Sequence, residues 1–553
     1  MKRIAILSLA VAVAASCGPK AAPAPMPKPA PDRTPVADPT PTAPPSNPEP
    51  APVTQTAQPQ ELTFPDEPFR AEQPKAGAPR PFRLPEVQTF KLKSGITVYL
   101  VEQHTLPIVS LDLSFDGGSV SDPAGKEGLA SVCMAMMGEG TEKLDKLAFS
   151  EALADVASSV SAYAGADTQG VSMSTLTKHF DVTFELFVDT LRTPGFRDTD
   201  LDRMIKRRLE GLKQAKGNPE AVAGRIAGPV LYGETHPYGR VTTEASYQAI
   251  KLDDCKAYHA AQLKPAGARL FVVGDMTAAQ IRERFDGPAL AGWKGKAPAL
   301  PKLTKPATAK ARIFFVHVAG AAQSQVSLVH FGPLRNAPDY FATSLMASVL
   351  GGGFTSRINM NLREGKGYTY GARGSFSYSR QYGTFAAGGS VRSDATYQSL
   401  LELQREVRSL ERGELPATDA ELERERAGAM LGLPSRFATA GASLGMFRSL
   451  VYYGLPLDYW ASYSTKVQKV TPAQVKAAAK KHLKSNDAVY VVVGDGDATM
   501  IVREADKDVP LLVDGKPVTL RDALAKLAAD GTLGKGALVE LDTDGKPSPL
   551  PHP

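Results

Sequence analysis

Residues 351–371, GGGFTSRINMNLREGKGYTYG, decide how the rest of the chain is interpreted. Three glycines at the start of this stretch predict the end of a helix, because residues without a Cβ lose the most conformational entropy on becoming helical. Residues 356–364 then have the apolar spacing of about two helical turns. Gly365 and Gly367 predict a turn, and the aromatic and β-branched residues 368–370 predict the start of a strand.

Arg363 and Tyr370 are the chemically notable side chains of this stretch, and they lie seven residues apart. A tight turn between a helix and a strand would allow both side chains to point into one cleft. There a guanidinium and a phenol could each donate a hydrogen bond to a carbonyl or an oxyanion. The alternative is an arginine on the surface and a tyrosine that only packs in the strand.

The folded part of the chain contains an internal repeat. A helix followed by an apolar strand ends at Asp275 in the first copy and at Asp495 in the second, an offset of 220 residues. Near the start of each copy, a strand runs into a helix. The repeat predicts an α+β fold with two homologous domains, at residues 86–300 and 311–505. The Pro- and Lys-rich residues 301–310 are the predicted linker between them.

The first 17 residues have the pattern of a bacterial export signal. Two basic residues precede an apolar segment, residues 4–15, that is too short to span a bilayer. The small residues that follow run directly into Cys17, and this resembles the lipobox at which a lipoprotein is cleaved and lipidated. Ordinary secretory cleavage nearby is the alternative. Lipidation would anchor the protein in the envelope of a Gram-negative bacterium. By resemblance to enteric lipoproteins, Gly18 favours the outer membrane, with the protein facing the periplasm.

Residues 18–85 are rich in proline and alanine and cannot bury a core. They predict a disordered tether of extended polyproline II character, which would hold the folded part away from the membrane. A proline-rich recognition ligand is the alternative interpretation. The net charge of +6 is spread along the chain without a dense basic stripe, so the sequence indicates no nucleic-acid partner.

Two cysteines remain beyond the lipobox. Export would permit a disulfide between Cys133 and Cys255, but two cysteines do not make a disulfide framework. Cys133 is predicted to be a small core residue of an apolar helix. In the C-terminal tail, residues 506–553, apolar runs around an Asp-Gly pair predict a hairpin, and one helix follows it. Residues 531–553 are expected to be loosely ordered.

Residues 351–371, together with the repeat, closely resemble the C-terminal half of the small-subunit pitrilysin-like (M16) zinc peptidases. The resemblance covers roughly residues 86–505. It implies two M16-like domains, each an antiparallel sheet packed with helices, that close like a clamshell around a chamber. It also implies that Arg363 and Tyr370 reach across a chamber to a substrate held at a zinc site.

Active members of the family carry an inverted zinc motif, His-x-x-Glu-His, on the first long helix, where the i, i+3 and i+4 positions share a face. Residues 128–141 match the flanks of this motif but not its ligands. Ser131 stands at the first histidine, Met134 at the glutamate and Ala135 at the second histidine. The resemblance therefore implies a degenerate zinc motif, in which an apolar patch replaces the metal.

The third ligand of the family is a glutamate on a downstream helix, and the matching position here is Gly211. Glu210 lies one residue early and is a poor substitute, because one residue turns a helical side chain by about 100°. No helix can offer a histidine pair to a metal, since no two of the eight histidines are three to five residues apart. We therefore expect no metal and no cofactor in this chain.

Three other patterns could suggest catalysis or phosphate binding. Residues 441–445 match the Gly-x-Ser-x-Gly nucleophile elbow around Ser443. That motif needs a strand before it, whereas both flanks here are predicted to be helical. Ser131 has no neighbouring histidine to activate it as a nucleophile. Residues 365–367 lack the spacing of a phosphate-binding loop and are better explained as a turn.

The resemblance implies a zinc-less subunit of a heteromeric M16-like metallopeptidase that is not active alone. A partner subunit carrying His-x-x-Glu-His would bring the zinc, and this chain would bring Arg363 and Tyr370 for the hydrolysis of unfolded peptides. Such peptides would be held by strand addition to a sheet edge. A non-enzymatic M16-like scaffold is the alternative from another class, and an autonomous serine hydrolase using Ser443 is a third.

Overall fold

The computed structural model divides into two units, residues 1–79 and 80–553. In the first unit the described residues form one 3₁₀ turn, Pro68–Ala71. The predicted signal segment with Cys17, and almost all of the predicted tether, lie outside the described residues. No helix in the described ranges is long and apolar enough to cross a membrane. The structure describes residues 67–71, 83–304, 306, 311–504 and 507–548.

The first half of the larger unit is a six-stranded sheet with helices packed against it. Its strands are β1 Gln88–Lys91, β2 Thr97–Glu102, β3 Ile108–Asp116, β4 Ser159–Ala164, β5 Thr168–Leu176 and β6 Arg269–Gly274. Its helices are α1 Leu129–Met136, α2 Lys146–Asp155, α3 Phe180–Arg192, α4 Asp198–Lys216, α5 Pro219–Tyr232, α6 Glu244–Gln248, α7 Leu252–Gln262 and α8 Ala278–Phe285. The strand order is β1-β2-β6-β3-β5-β4.

The second half repeats this plan. Its strands are β7 Ala311–His317, β8 Gln323–Gly332, β9 Arg373–Tyr378, β10 Gly383–Arg392 and β11 Val489–Gly494. Its helices are α9 Tyr340–Ala347, α10 Arg357–Asn359, α11 Thr396–Arg412, α12 Asp419–Leu431, α13 Ala440–Tyr452, α14 Tyr463–Gln468 and α15 Pro472–His482. The tail adds β12 Ile501–Glu504, β13 Lys507–Pro510, β14 Leu512–Val513, β15 Lys516–Pro517, α16 Leu520–Asp530 and β16 Ala537–Leu541.

The two sheets correspond strand by strand, so the duplicated α+β fold predicted from the sequence is confirmed. The second sheet has the order β16-β7-β11-β8-β10-β9, in which β7 to β11 take the places of β2 to β6. Both sheets are mainly antiparallel and share a parallel pair at the same place, β2 with β6 and β7 with β11, and the second sheet has another in β16 with β7. Parallel pairing is possible there because long helical connections separate the two strands. The predicted domain boundaries stay a prediction, since both halves lie in one undivided unit.

The two halves pack against each other as a clamshell, and one helix of each half packs on the sheet of the other. Helix α5 of the first half packs on β8 and β11, and α13 of the second half packs on β3 and β6. The central strands are thus covered on both faces. This explains why β6 (RLFVVG) and β11 (VYVVVG) are almost uninterrupted apolar runs that are buried along nearly their whole lengths.

The glycines at the start of 351–371 do not end the preceding helix as predicted. Helix α9 continues into a π-helical turn, Ser348–Gly352, that includes two of them. A Cβ added at Gly351 would overlap the backbone nitrogen of Gly374 on β9. Glycine is therefore required here for the close approach of two backbones rather than for helix termination.

The helix and strand predicted later in this stretch are also displaced. In place of two α-helical turns at 356–364, the structure has the short α10 and a second π-helical turn, Met360–Gly365. The strand predicted from residue 368 begins at Arg373. Residues 368–372 instead form the connection between the π turn and β9, and the register of β9 is set by its pairing with β10.

The tail is more ordered than the sequence indicated. The predicted hairpin is confirmed by the pairing of β14 with β15, and the predicted helix is α16. The expectation of loose order after residue 531 is wrong for β16, which pairs with β7 in the second sheet. This pairing joins segments that are far apart in sequence, and therefore no local pattern could predict it.

Cys133 and Cys255 form a disulfide that joins α1 to α7, 122 residues apart in sequence. Both side chains are buried. The prediction that Cys133 is a small core residue is confirmed, and the pairing with Cys255 that the sequence left open is formed. The cross-link fixes the helix on which the degenerate motif lies.

Candidate functional site

Helix α1 is held firmly at its N-terminus. The Asp122 carboxylate accepts hydrogen bonds from the N–H groups of Gly128 and Ala130, each at 2.9 Å, and so satisfies two free donors at this helix end. Gly128 has a φ of +99°, in the left-handed region that glycine adopts readily. Burial raises the pKa of Asp122 to about 6 in spite of these donors. The start of the helix is thus fixed around one nearly buried carboxyl group.

The motif positions on α1 do not form a ligand set. Ser131 and Ala135 are half-buried, whereas the Met134 side chain is 1% exposed within the core of the first half. None of these three side chains offers an imidazole or a carboxylate. The structure therefore brings together a hydroxyl, a methyl group and a buried thioether where the family has its metal ligands.

Helix α4 supplies a cation to this place instead of a carboxylate. The Arg208 guanidinium donates a hydrogen bond to the Ser131 hydroxyl, with 3.4 Å between Nη2 and Oγ. Gly211 and Glu210 are both exposed. A guanidinium beside Ser131 would repel a divalent cation, so the residues present do not fit a zinc ion. No sequence pattern pointed to Arg208, since the contact spans 77 residues.

A carboxylate that remains near α1 is already neutralised. Glu139 is buried and binds Lys146 at 2.7 Å, Arg203 at 2.6 Å and Arg207 at 3.3 Å. Burial raises its pKa, but the hydrogen bonds from Lys146 and Arg203 outweigh this and hold the pKa below its usual value. Glu139 is thus an anchor between α1 and α4, and all its charge is compensated within the chain.

Arg363 lies in the π-helical turn Met360–Gly365 and is partly exposed. Its guanidinium stands 4.9 Å from the ring centroid of Phe354 and 3.3 Å from the carboxylate of the adjacent Glu364. Half of the Phe354 side chain is exposed. An ion pair between neighbours on a surface contributes little, so Arg363 can be recruited by another partner.

Tyr370 is the most exposed large hydrophobic residue among those described, with 88% of its surface accessible. Its backbone is fixed by the two residues that precede it. Tyr368 is buried and its N–H donates to the Leu362 carbonyl at 2.9 Å. The Thr369 hydroxyl donates to the Ser390 carbonyl at 2.5 Å. The exposure of Tyr370 is therefore imposed by the fold and is not the result of a loose loop.

The structure places Arg363 and Tyr370 on the same short segment but does not join them. Within the described residues no hydrogen bond or ring contact links the two side chains. The prediction that both side chains point into one cleft stays a prediction, since both are exposed on the surface of this chain. Met360, also partly exposed, adds to the apolar surface of the segment.

A cavity of about 740 Å³ lies between α13 and the first sheet. At its wall, Arg448 of α13 pairs with Asp112 of β3 at 3.1 Å, and the Tyr163 hydroxyl donates to the same carboxylate at 3.0 Å. Burial raises the pKa of Asp112 against the opposing effect of Arg448. The one sequence feature that points to this pair is the aspartate in the apolar run of β3.

Other carboxylates of the first half also bind donors from the second. Asp167 accepts from the hydroxyls of Tyr452 at 2.7 Å and Tyr238 at 2.9 Å. Asp116 pairs with Arg380 at 2.7 Å and with Arg269 at 2.9 Å. The contact between the halves is thus polar and specific as well as apolar.

Ser443 does not form a nucleophile elbow. It lies inside α13, 1% exposed, and its hydroxyl donates to the Phe437 carbonyl at 3.2 Å. The residue before α13 is Thr439, whose side chain caps the helix, and no strand precedes it. The autonomous serine hydrolase therefore has no support in the geometry.

The Gly-Lys-Gly turn at residues 365–367 is not a phosphate-binding loop. The ammonium group of Lys366 lies 3.7 Å from the carboxylate of Glu402.

One group of potential metal ligands occurs among the described residues, away from α1. His317, Asp495 and Asp497 offer ligand atoms that lie within 4.8 Å of one another. The Nδ1 atom of His317 already accepts a hydrogen bond from the N–H of Gly496 at 2.9 Å. Arg521 lies 4.0 Å from Asp497. Neighbouring groups of the chain thus already bind His317 and balance the charge of Asp497. The spacing of these residues in the sequence does not predict the group.

Two family models match the chain, and together they span more than half of it. Residues 97–227 match the model described as Insulinase (Peptidase family M16), and residues 249–429 match the Peptidase M16 inactive domain. A relative from Helicobacter pylori, the "non-peptidase homolog YmxG", is 24% identical over 413 residues, which cover 73% of this chain and 93% of the relative.

Solved structures agree with this assignment. A peptidase M16 inactive domain from Pseudomonas fluorescens has a TM-score of 0.68 and 29% identity, and the match covers 74% of this chain and 98% of that one. The periplasmic protease PqqL from Escherichia coli has a TM-score of 0.63 and 16% identity, and the match covers 77% of this chain but only 50% of PqqL. Similarity to an inactive domain and to a non-peptidase relative fits a chain without its own cofactor. The chain therefore belongs to the insulinase-like M16 peptidase family, and its motif positions have lost the family's metal ligands.

Proposed function

We propose that this chain is the zinc-less subunit of a heteromeric M16-like metallopeptidase and supplies Arg363 and Tyr370 to the zinc site of a partner subunit. The observation that carries the proposal is the exposure of Tyr370 on a segment whose backbone is fixed. A large aromatic side chain that is held in water by a rigid backbone gains stability only when another surface covers it.

The local backbone supports a functional role for the segment. Two π-helical turns, Ser348–Gly352 and Met360–Gly365, lie on either side of α10. Such turns are rare, and they occur frequently at functional sites. The second turn carries Arg363, and the first makes the close contact with β9 at Gly351. Regular α-helix would aim the arginine differently, because a π turn changes the angular position of the residues that follow.

The chemistry of the pair suits peptide hydrolysis. A guanidinium and a phenol can both donate to the oxygen on which negative charge develops when a peptide carbonyl is attacked. In the assembly, Arg363 would leave its weak pairing with Glu364, and Tyr370 would donate through its hydroxyl. This chain would thus bind and orient the carbonyl, and the partner carrying His-x-x-Glu-His would hold the metal.

Substrates would be unfolded peptides that bind by strand addition. Each sheet of this chain ends in a strand with a single neighbour, β4 in the first sheet and β9 in the second. Main-chain hydrogen bonds to such an edge supply affinity with little sequence selectivity. An enzyme that degrades diverse peptides needs this kind of recognition.

We also propose that the protein works in the cell envelope, anchored through a lipid on Cys17. Its support is the export signal, which runs into a cysteine and then into a proline-rich segment. Cys17→Ala should release the protein from the membrane fraction and abolish incorporation of labelled palmitate. If the variant stays with the membranes, the lipid anchor is wrong.

The decisive experiment mixes the full chain with a His-x-x-Glu-His homologue from the same genome and follows cleavage of a quenched fluorescent peptide. Activity should appear only on mixing. Arg363→Ala or Tyr370→Phe should lower it by about 10²–10³, the usual effect of removing one oxyanion donor. Arg284→Ala is the matched control, since Arg284 is similarly exposed, also pairs with an adjacent glutamate and lies on α8 of the first half.

A non-catalytic M16-like scaffold is the second candidate. It is favoured by the loss of the ligands on α1 and by the similarity to a protein named as a non-peptidase homologue. A stable complex without peptidase activity, or one in which both variants leave activity unchanged, would select the scaffold. Stoichiometric zinc and cleavage in the chain alone would contradict both functions.

A further inference from the structure

Strand β16 occupies its place in the second sheet in an unusual way. In the first sheet, the position beside β2 belongs to β1, which directly precedes β2 in the chain and runs antiparallel to it. In the second sheet, the corresponding position beside β7 belongs to β16, which comes from the end of the chain and runs parallel to β7. The last strand is therefore an addition to the duplicated fold and not a part of the repeat.

Strand β16 pairs with β7, which would be the edge strand of the second sheet if β16 were absent. Without it, β7 would expose a row of unpaired N–H and C=O groups. The ladder runs to the pair Leu541 and Val316. Leu541 is buried in the apolar cluster that α5 forms with the second sheet, and the nearly buried Glu540 pairs with Arg521 at 3.0 Å. Backbone pairing combined with alternate side chains in pockets is the usual pattern of strand addition.

A tight turn after β16 carries a carboxylate to the other half. The N–H of Asp542 donates to the Lys546 carbonyl at 2.8 Å, and Gly545 adopts a φ of +82°. This turn places Asp544 between Arg225, at 2.5 Å, and Lys216, at 2.8 Å. Both cations belong to the first half, Arg225 in the middle of α5 and Lys216 at the end of α4.

The carboxylate site is largely removed from solvent. The side chains of Arg225, Asp544 and Lys216 are 13%, 19% and 22% exposed. A charge pair at this depth is screened less than a surface pair, and a missing partner leaves the other charge poorly solvated. Lys216 has a second partner in Glu244 at 2.8 Å, so Arg225 depends more on Asp544. The site thus prefers a segment with a carboxylate at this place.

We propose that the edge of β7, together with Arg225 and Lys216, forms a binding site for an extended acidic peptide, and that the chain's own last strand occupies this site as a ligand in cis. The peptide it fits has an apolar residue at the position of Leu541 and an acidic residue three positions later. The site is separate from Arg363 and Tyr370, and it stands whether or not the chain takes part in peptide hydrolysis.

The test uses the full chain with a specific protease site inserted after Lys535, which is exposed in the connection before β16. The folded protein is cut and then mixed with an excess of labelled peptide of residues 536–548, and binding is followed by fluorescence anisotropy. The cut chain should exchange its own tail for the labelled peptide, whereas the uncut chain should not bind it. An Asp544→Asn peptide should bind at least tenfold more weakly. A Lys546→Ala peptide, which alters an exposed charge of the same turn, should bind as the unmodified peptide does.

Three results would overturn the proposal. If circular dichroism shows that cutting unfolds the protein, β16 is a part of the core and not a ligand. If the cut chain stays folded and never takes up the labelled peptide, the strand is fixed. If the Asp544→Asn peptide binds as well as the original, Arg225 and Lys216 do not select a carboxylate.

Discussion

Met134 shows at the level of one residue that the former motif helix has become part of the core. The position matches a glutamate in active members of the family, but here the side chain is 1% exposed and surrounded by apolar residues. The adjacent Ala135 is only half-buried. One turn of α1 therefore contains a position that cannot accept a charge and a neighbour that can.

Met134→Glu should lower the free energy of unfolding by about 3 kcal/mol or more, because an unpaired carboxylate would be buried. Ala135→Glu should cost less than about 1 kcal/mol, since its side chain can reach water and Arg208 is near this face of α1. Urea denaturation measures both variants. Equal losses of unfolding free energy in the two variants would contradict the difference in burial between Met134 and Ala135.

Asp122 allows a pH-dependent prediction. Because burial raises the folded-state pKa to about 6, the folded state holds this proton more tightly than the unfolded state does. This group therefore favours folding at low pH, and its contribution declines as the pH rises from about 4 to about 6. In Asp122→Asn that decline should be absent, so the slope of stability against pH should become less negative by up to about 1.4 kcal/mol per pH unit. Urea titrations of the wild type and the variant at several pH values measure the difference, and identical slopes would contradict the raised pKa.

Gly351 shows, at the level of the secondary-structure element, why a correct motif was given the wrong local structure. Sequence alone suggests that consecutive glycines end a helix, whereas the structure continues the helix as a π turn that packs on β9. Gly351→Ala should destabilise the protein by about 2 kcal/mol or more, because the added Cβ meets the backbone of Gly374. Gly353→Ala is the control: a Cβ there meets nothing within 4 Å, and chemical denaturation should show little change. A small loss at Gly351 would mean that the two backbones can separate.

Local patterns gave the elements that depend on local physics. The repeat, the apolar strands β6 and β11, the hairpin around Asp514 and the helix α16 were all predicted, because periodicity and turn residues encode them. The degenerate positions on α1 were assigned by the resemblance of residues 128–141 to the flanks of the family's motif. Contacts between distant segments were not found: the Arg208 hydrogen bond to Ser131, the disulfide and the pairing of β16 each join residues that no window of sequence contains.

At the scale of the whole molecule, the exchange of helices makes the two halves interdependent. Helix α13 covers the first sheet and α5 covers the second, so neither sheet can bury its central strands without the other half. A duplicated fold built in this way should unfold as one cooperative unit, since separating the halves would expose β6 and β11 together. The polar contacts across the boundary then fix the relative position of surfaces that apolar burial holds together.

Arg448 is the residue through which this interdependence can be measured. It reaches from α13 to Asp112, whose side chain is 3% exposed while that of Arg448 is 42% exposed. Arg448→Ala should therefore cost about 2 kcal/mol at pH 7, less than the 3–5 kcal/mol of a fully buried pair, because the arginine is partly solvated. The loss should shrink at low pH. Burial raises the pKa of Asp112, so its carboxyl becomes neutral there and no longer needs a charged partner. Arg424→Ala should show neither effect, since Arg424 is equally exposed and its ion pair among the described residues is with the neighbouring Glu425. Denaturation curves of both variants at pH 7 and pH 4 measure these losses of stability. If the loss in Arg448→Ala does not vary with pH, packing of the aliphatic stem of Arg448 joins the halves, and the buried carboxylate does not.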